Sequence, residues 1–167
     1  MSKTKSASPR RTRAFWPESA RKRARAGGVR TTLLGDLGEV AFVHKAMSLG
    51  LVVAKPYGQM HRYDFMVDGG QGLWRIQVKT CNCRVRGLYH VNVKHSGNGR
   101  CTAYAHSEVD FLVAYIMLEG TWYVLPVSEV VGRTSMLFRP KGFPRGDPYS
   151  QYREAWHLLG KPDGPAL

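Results

Sequence analysis

Four polar residues occupy positions whose neighbours predict burial, and they are the first candidates for chemistry. Asp64 is flanked by two aromatic residues, and Gln77 and Lys79 stand two positions apart in a segment of alternating apolar residues. Glu39 lies in an earlier segment of mostly apolar or small residues. A buried carboxylate is costly unless it is paired or coordinates a metal. The pattern therefore predicts a polar site, with a structural ion pair as the alternative.

These residue types suit the hydrolysis of a phosphodiester bond. The carboxylate of Asp64, the amide oxygen of Gln77 and a nearby backbone carbonyl are hard oxygen ligands, which suit Mg²⁺ with waters completing the shell. The adjacent Lys79 can orient or help deprotonate an attacking water, or stabilise charge on a phosphate. Together they predict metal-assisted phosphodiester hydrolysis.

The elements that must position this site are a helix and two strands. Apolar residues at helical spacing predict a helix over 32–49, with Gly50 just beyond its end. Strands are predicted at 63–67 and 73–80, joined by a turn at 68–72. Because side chains alternate along a strand, Gln77 and Lys79 share one face, and the neighbouring strand brings Asp64 beside them.

The remaining segments predict a single α/β domain. A continuous apolar run at 111–118 predicts a central strand that is buried on both faces. Residues 95–106 are predicted to be a loop or a short irregular helix, and 149–159 a terminal helix whose Tyr152, Trp156 and Leu159 face the core. A one-turn helix is predicted after Ser128. The other predicted strands are a short buried one at 51–54 and those at 88–93, 122–127 and 135–138.

Three short motifs carry a resemblance to a known family. Gly38-Glu39, Tyr63-Asp64 and Ile76-Gln77-Val78-Lys79, in a helix–strand–strand–strand order, resemble the PD-(D/E)XK nuclease superfamily, with glutamine at the D/E position. The resemblance covers about residues 31–130 and is closest to the group I intron homing endonuclease branch. It implies a restriction-endonuclease-like domain, a mixed β-sheet flanked by helices.

The resemblance also implies roles for individual residues. Asp64 would be the principal metal ligand, Gln77 the second, and the carbonyl of Val78 the third. Lys79 would activate or position the hydrolytic water, and Glu39 would assist the metal or the water. The implied cofactor is Mg²⁺, with Mn²⁺ as a substitute. Two departures stand out, since no proline immediately precedes Asp64 and the neutral Gln77 binds metal more weakly than a glutamate.

Charge divides the chain into an arm and a domain. The 167 residues have a formal net charge of +13, and residues 1–30, with ten basic residues and one acid, contribute +9. We predict a flexible basic arm at 1–30, the domain at 31–160 and a tail at 161–167, with DNA as the partner of the arm. The predicted nucleic-acid contacts are Arg10, Arg11, Arg13, Arg21, Lys22, Arg23 and Arg25 in the arm, and His61, Arg62, Arg84 and Arg86 in the domain.

Several classes of protein are disfavoured. No apolar stretch approaches the length of a membrane helix, and the N-terminus lacks the apolar core of a secretory signal. The odd cysteine count favours a reducing compartment, and we expect a cytoplasmic, nucleoid-associated protein. The spacing of Cys81, Cys83 and Cys101 fits no standard zinc pattern, so free buried thiols are predicted.

The sequence thus favours a Mg²⁺-dependent DNA endonuclease. Cleavage of both strands of a duplex requires two sites, so we expect a homodimer or homotetramer. The alternatives are an inactive nucleic-acid-binding module of the same fold and an enzyme like the archaeal Holliday junction resolvases, which the motifs also resemble. An RNA-cleaving relative that works without metal ranks last.

Overall fold

The computed structural model describes residues 31–58, 61–97, 100–142 and 145–160. The predicted arm at 1–30, with its seven candidate DNA contacts, and the tail at 161–167 lie outside these residues. Helix α1 spans Thr31–Ser48, which confirms the helix predicted at 32–49. It ends where Gly50 adopts a φ of 80°, in the left-handed region that glycine enters without strain.

Within the described residues, nine β-strands follow α1. They are β1 (Val52–Ala54), β2 (Phe65–Asp68), β3 (Leu73–Cys81), β4 (Tyr89–Asn92), β5 (Lys94–Gly97), β6 (Arg100–Ala103), β7 (Phe111–Ile116), β8 (Thr121–Pro126) and β9 (Ser135–Phe138). Five of them form the central sheet in the order β1-β2-β3-β7-β8. The pairing of β3 with β7 is parallel and the other pairs are antiparallel, so the sheet is mixed, as a restriction-endonuclease-like fold requires.

The sequence located most strands of this sheet. The run predicted to be a central strand is β7, which is buried along its whole length. The one-turn helix predicted after Ser128 is instead the 3₁₀ turn Val127–Glu129, which contains Ser128 and is preceded by Pro126, so the position of this prediction was wrong. The segment at 51–54 was wrongly predicted as buried, because β1 lies at the sheet edge and only Leu51 before it is buried. Within the described residues, no helix is long and apolar enough to span a bilayer.

The small sheet of β4 and β9 packs on the face of the central sheet opposite α1, and β5 and β6 form a second two-stranded sheet. The predicted strands at 88–93 and 135–138 are β4 and β9, and they pair with each other. The segment predicted to be a loop or irregular helix at 95–106 is instead the hairpin β5–β6, so that prediction was wrong. The residues of this hairpin are mostly polar and do not alternate with apolar ones. The alternation that predicts a strand is therefore missing from this segment.

Helix α1 packs on β3 through its smallest residues. A Cβ atom at Gly38 would lie 1.7 Å from Oγ1 of Thr80, so only glycine permits this approach. The buried face consists of Gly38, Ala41, Phe42 and Ala46. The apolar positions that predicted the helix lie mostly on its outward face instead. The close packing of Gly38 on Thr80, near the end of β3, fixes the position of Glu39, the next residue.

The C-terminal segment was wrongly predicted as one helix at 149–159. It contains two 3₁₀ turns, Ser150–Tyr152 and Trp156–Leu159, separated at Glu154, whose φ is 53°. There the backbone of Glu154 donates to the carbonyl of Trp122, and its carboxylate accepts from the backbone N–H of Trp122. Pairing with the edge strand β8 therefore replaces the helical hydrogen bonds. Trp156 and Leu159 are buried as predicted, and Tyr152 is half-buried.

Candidate active site

Asp64 is fixed against the middle of β3 by three hydrogen bonds. Its backbone N–H donates to the carbonyl of Ile76 at 2.8 Å, which continues the pairing of β2 with β3. Its carboxylate oxygen Oδ2 accepts from the backbone N–H of Val78 at 2.8 Å and from Nε2 of Gln77 at 2.5 Å. The two-strand prediction therefore brought Asp64 and Gln77 together correctly.

The side-chain amide of Gln77 lies between two oxygens that are candidate metal ligands. Its Nε2 donates to Oδ2 of Asp64 and, at 3.2 Å, to the carbonyl oxygen of Val78. Gln77 is the buried polar residue of this region, 8% exposed. Rotating the amide end over end exchanges its N–H₂ for its oxygen, since both ends have nearly the same shape. With the amide reversed, three oxygens converge on one point.

This donor set fits a divalent cation that prefers oxygen. Among the described residues, no three His, Cys, Asp or Glu side chains come together as a metal cluster. A metal ion here would therefore depend on one carboxylate, Asp64, with neutral oxygens from Gln77 and Val78. Few protein ligands and several retained waters are typical of Mg²⁺.

Lys79 supplies a desolvated positive charge next to this point. Its Nζ lies 5.6 Å from the ring centroid of Tyr104, which covers it from the side of the small sheets. In the described part of the chain, no carboxylate lies within ion-pair distance of this ammonium. Burial lowers the pKa of Lys79, and the negative charges of Asp64 and Glu39 oppose that shift.

Burial acts in the opposite direction on the carboxylate. Desolvation is the main reason that the pKa of Asp64 is raised, and the nearby charge of Glu39 raises it further. The hydrogen bond from Val78, the charge of Lys79 and the hydrogen bond from Gln77 partly offset this. Both ionised groups thus reduce folding stability near neutral pH, as expected of a site selected for chemistry.

We expect Asp64→Asn to raise the stability of the metal-free protein. Because the pKa of Asp64 is raised in the folded protein, ionisation of Asp64 lowers the folding stability of the natural chain as the pH rises through that pKa. The variant is therefore more stable than the natural chain at neutral pH, and the difference disappears below the ordinary aspartate range. The expected gain is about 1 kcal/mol, or roughly 2–6 °C in melting temperature. Thermal denaturation at pH 7 and pH 3 measures it. Asp68→Asn, at the exposed last residue of β2, is the control and should change little at either pH.

The charge of Glu39 influences the pKa values of Asp64 and Lys79, but its hydrogen-bond partner is Lys55. Its Oε2 accepts a 2.8 Å hydrogen bond from Nζ of Lys55, and this bond raises the pKa of Lys55. Glu39 makes no hydrogen bond to Asp64 or Gln77 in the described structure. Its predicted role in assisting a metal or a water remains a prediction.

Sequence reasoning missed Lys55 and Tyr104. Lys55 directly follows the edge strand β1 and faces the helix, so its charged head reaches Glu39 from a different element. Tyr104 follows β6 in the segment that was predicted to be irregular. The one available signal was Lys55 itself, a cation between an apolar run and Pro56.

The predicted DNA contacts of the domain fall into two separate groups. His61 and Arg62 are exposed just before Asp64, and Nε of Arg62 lies 3.8 Å from Glu108. Arg84 and Arg86 are exposed in the turn before β4. Arg84 lines a cavity of about 180 Å³ whose other walls include two cations that the sequence analysis did not single out, Arg139 and Lys141.

The cysteines do not form a cluster. Cys81 is buried, its thiol donates to the carbonyl of Cys83, and burial raises its pKa to about 11. Cys83 and Cys101 are exposed, so the prediction of buried thiols holds only for Cys81. Cys83 lies beyond the end of β3, and Cys101 lies on the exposed β5–β6 hairpin.

Comparison with known proteins agrees with this geometry. The family model for PD-(D/E)XK endonuclease matches residues 29–159 of the chain. A solved structure of a bacterial homing endonuclease, I-Ssp6803I, is similar with a TM-score of 0.70 and 29% sequence identity. The similarity covers 78% of this chain and 93% of that one. No curated protein matches the chain in sequence.

Proposed function

Because this chain belongs to the PD-(D/E)XK endonuclease family, we propose that it is a metal-dependent endonuclease that hydrolyses DNA, in the manner of a homing endonuclease. One observation supports this most strongly. Asp64, Gln77 and the carbonyl of Val78 converge on one point, with the desolvated ammonium of Lys79 beside it.

In this proposal Asp64 and the Val78 carbonyl would hold the divalent ion, and the amide oxygen of Gln77 would be the third ligand with the amide reversed. When bound, Mg²⁺ would neutralise negative charge on the scissile phosphate. Val78 keeps Asp64 in place because its backbone N–H donates to the same carboxylate.

Lys79 is proposed to act on the attacking water and on the phosphate. An ammonium has three donors and no acceptor, so it can orient a water through the water's oxygen and also donate to a phosphate oxygen. Its burial under Tyr104 strengthens these interactions because little water competes.

The positive and negative side chains of the candidate site are equal in number. Asp64 and Lys79 have opposite charges, and so do Glu39 and Lys55, which lie 2.8 Å apart. The site is therefore close to neutral and attracts neither a dication nor a phosphate strongly by itself. We propose that the two bind together, each supplying the charge that the other needs.

The proposal is tested with supercoiled plasmid at low salt and excess full-length protein, where non-specific affinity suffices to load DNA on the site. We expect nicking and linearisation with Mg²⁺ or Mn²⁺ and none with EDTA. A four-way junction offered in parallel separates a junction resolvase from a duplex endonuclease, because a resolvase prefers the junction.

One observation supports the inactive DNA-binding module as a second candidate. In the described geometry the Gln77 amide places N–H donors, not its oxygen, toward Asp64 and Val78. If that orientation is permanent, the protein binds plasmid without nicking it under any metal. Gln77→Glu would then create cleavage where the natural chain has none.

A further inference from the structure

The cavity that Arg84 lines is built from four segments that lie far apart in the chain. It has a volume of about 180 Å³, which admits a phosphate group. Its charged and hydroxyl side chains come from the segment between β3 and β4, the first residue of β4, the segment between β7 and β8, and the loop after β9. They are Arg84, Tyr89, Glu119, Arg139 and Lys141. The fold thus brings three cations to one recess near the ends of β3 and β7.

Glu119 holds one of these cations in place. Its Oε2 lies 3.2 Å from Nζ of Lys141, and its Oε1 accepts a 2.6 Å hydrogen bond from the hydroxyl of the buried Tyr89. Burial raises the pKa of Glu119, but the hydrogen bonds from Tyr89 and Lys141 and the charges of Lys141 and Arg84 hold it below the ordinary value. The carboxylate is therefore ionised at neutral pH, and the walls of the cavity have a net charge of +2.

The other two cations have no carboxylate partner of their own. In the part of the chain that the structure describes, no ion pair includes Arg84 or Arg139. Nη1 of Arg139 lies 3.5 Å from the carbonyl oxygen of Gly146, at the limit of a hydrogen bond. A Cβ atom at Gly87 would lie 3.5 Å from Nη2 of Arg84, so this glycine leaves room for the guanidinium group. Both groups keep most of their N–H donors for a ligand.

We propose that this cavity binds one phosphate group of the DNA backbone, outside the candidate active site. A guanidinium group presents its N–H donors in one plane and pairs with two phosphate oxygens at once. Arg84 and Arg139 would make such contacts from two walls, and Lys141 would add a third charge. Arg84 alone was predicted as a DNA contact, and the cavity adds Arg139 and Lys141 and directs all three to a single phosphate. That the phosphate belongs to DNA rests on the proposed function.

The cavity and the candidate site lie on the same side of the central sheet. Lys79 and Cys81 share a face of β3, and Cys81 packs in one cluster with Tyr89 of the cavity wall. Arg84 follows Lys79 by five positions, so their Cα atoms are at most about 17 Å apart. Because a DNA strand rises about 3.4 Å per nucleotide, that distance corresponds to about five nucleotides. One duplex can therefore reach both places, and a phosphate held in the cavity would fix its register over the candidate site.

Duplex binding in EDTA tests the proposal, because binding without metal does not depend on cleavage. Arg84→Gln and Arg139→Gln are each expected to weaken binding by the full chain about tenfold and to lower the salt slope by about 1. Two duplexes of unrelated sequence should lose affinity equally, since a phosphate contact reads no bases. Fluorescence anisotropy at several salt concentrations measures both quantities.

The double variant tests whether the two arginines hold the same phosphate. Its loss should fall well short of about a hundredfold, because the effects of two groups that share one ligand are not additive. Arg133→Gln is the matched control, since Arg133 is an exposed arginine outside the cavity whose Nε donates to the carbonyl of Glu129. It should bind like the natural chain. Melting temperatures show whether each variant has folded.

The proposal is overturned if Arg139→Gln binds like Arg133→Gln, if the two single losses multiply in the double variant, or if the loss depends on the sequence of the duplex. Phosphorus NMR of inorganic phosphate tests the free ion as the ligand. Phosphate that binds the natural chain, with duplex binding unchanged in the double variant, would assign the cavity to the free ion and also overturn the proposal. A plasmid that stays uncut in Mg²⁺ while these affinity losses are present would reject the proposed cleavage and leave the assignment of the cavity intact.

Discussion

Replacing Lys79 with methionine is expected to reduce DNA cleavage by about 10³-fold while the affinity for DNA changes little. Methionine has a similar length and fills the space under Tyr104, so the packing is retained and the charge is lost. The ammonium contributes only one of many phosphate interactions, so binding depends mostly on other residues. Single-turnover cleavage at saturating protein, with affinity measured in Ca²⁺, separates the two effects.

Lys94→Met is the matched control for this substitution. Lys94 begins the β5–β6 hairpin and has no place in the proposed chemistry. Its loss is expected to weaken DNA binding slightly and to leave the single-turnover rate unchanged. A Lys79→Met protein that cuts at the natural rate would show that the site has been assigned wrongly.

Neutralising the arm is expected to weaken DNA binding by several orders of magnitude. Each phosphate contact contributes about 0.9 to the slope of log affinity against log salt, so seven contacts contribute up to about 6. The variant replaces Arg10, Arg11, Arg13, Arg21, Lys22, Arg23 and Arg25 with glutamine in the full chain. Fluorescence anisotropy with a labelled duplex, at several salt concentrations, measures affinity and slope together.

The rate at saturating protein is the internal control for the arm. Because the arm supplies affinity in this proposal and takes no part in hydrolysis, the single-turnover rate should remain within about twofold of the natural value. An unchanged salt slope would mean that the arm does not contact phosphates. A large loss of rate at saturation would place arm residues in the reaction itself.

The parts of the fold with strong periodicity could be read from the sequence. The apolar run at 111–118 and the alternation at 73–80 predicted β7 and β3, and Gly50 located the end of α1. The β5–β6 hairpin could not be found this way, because its residues are mostly polar and show no alternation of apolar side chains. The terminal segment failed for a different reason, since Glu154 bonds to Trp122, 32 positions away.

The candidate site likewise contains residues that local sequence patterns predict and residues that only the tertiary structure shows. The positions of Asp64, Gln77 and Lys79 followed from side-chain alternation on two adjacent strands, which is local information. Lys55 and Tyr104 reach the site from other elements, so only the tertiary structure shows them. The face of α1 that packs on the sheet could not be read from the apolar positions, because Gly38, which carries little hydrophobic signal, makes the close approach to Thr80 of β3.

We propose that Asp64, Gln77 and Val78 together hold a divalent ion, and locating that ion tests the proposal most directly. Crystals soaked in Mn²⁺, or grown with it and a DNA duplex, give an anomalous signal that locates the ion directly. We expect a peak within coordination distance of Oδ2 of Asp64, the carbonyl of Val78 and a reversed Gln77 amide. Saturating Mn²⁺ that leaves no peak there, with Nε2 of Gln77 still bonded to Asp64, would contradict it.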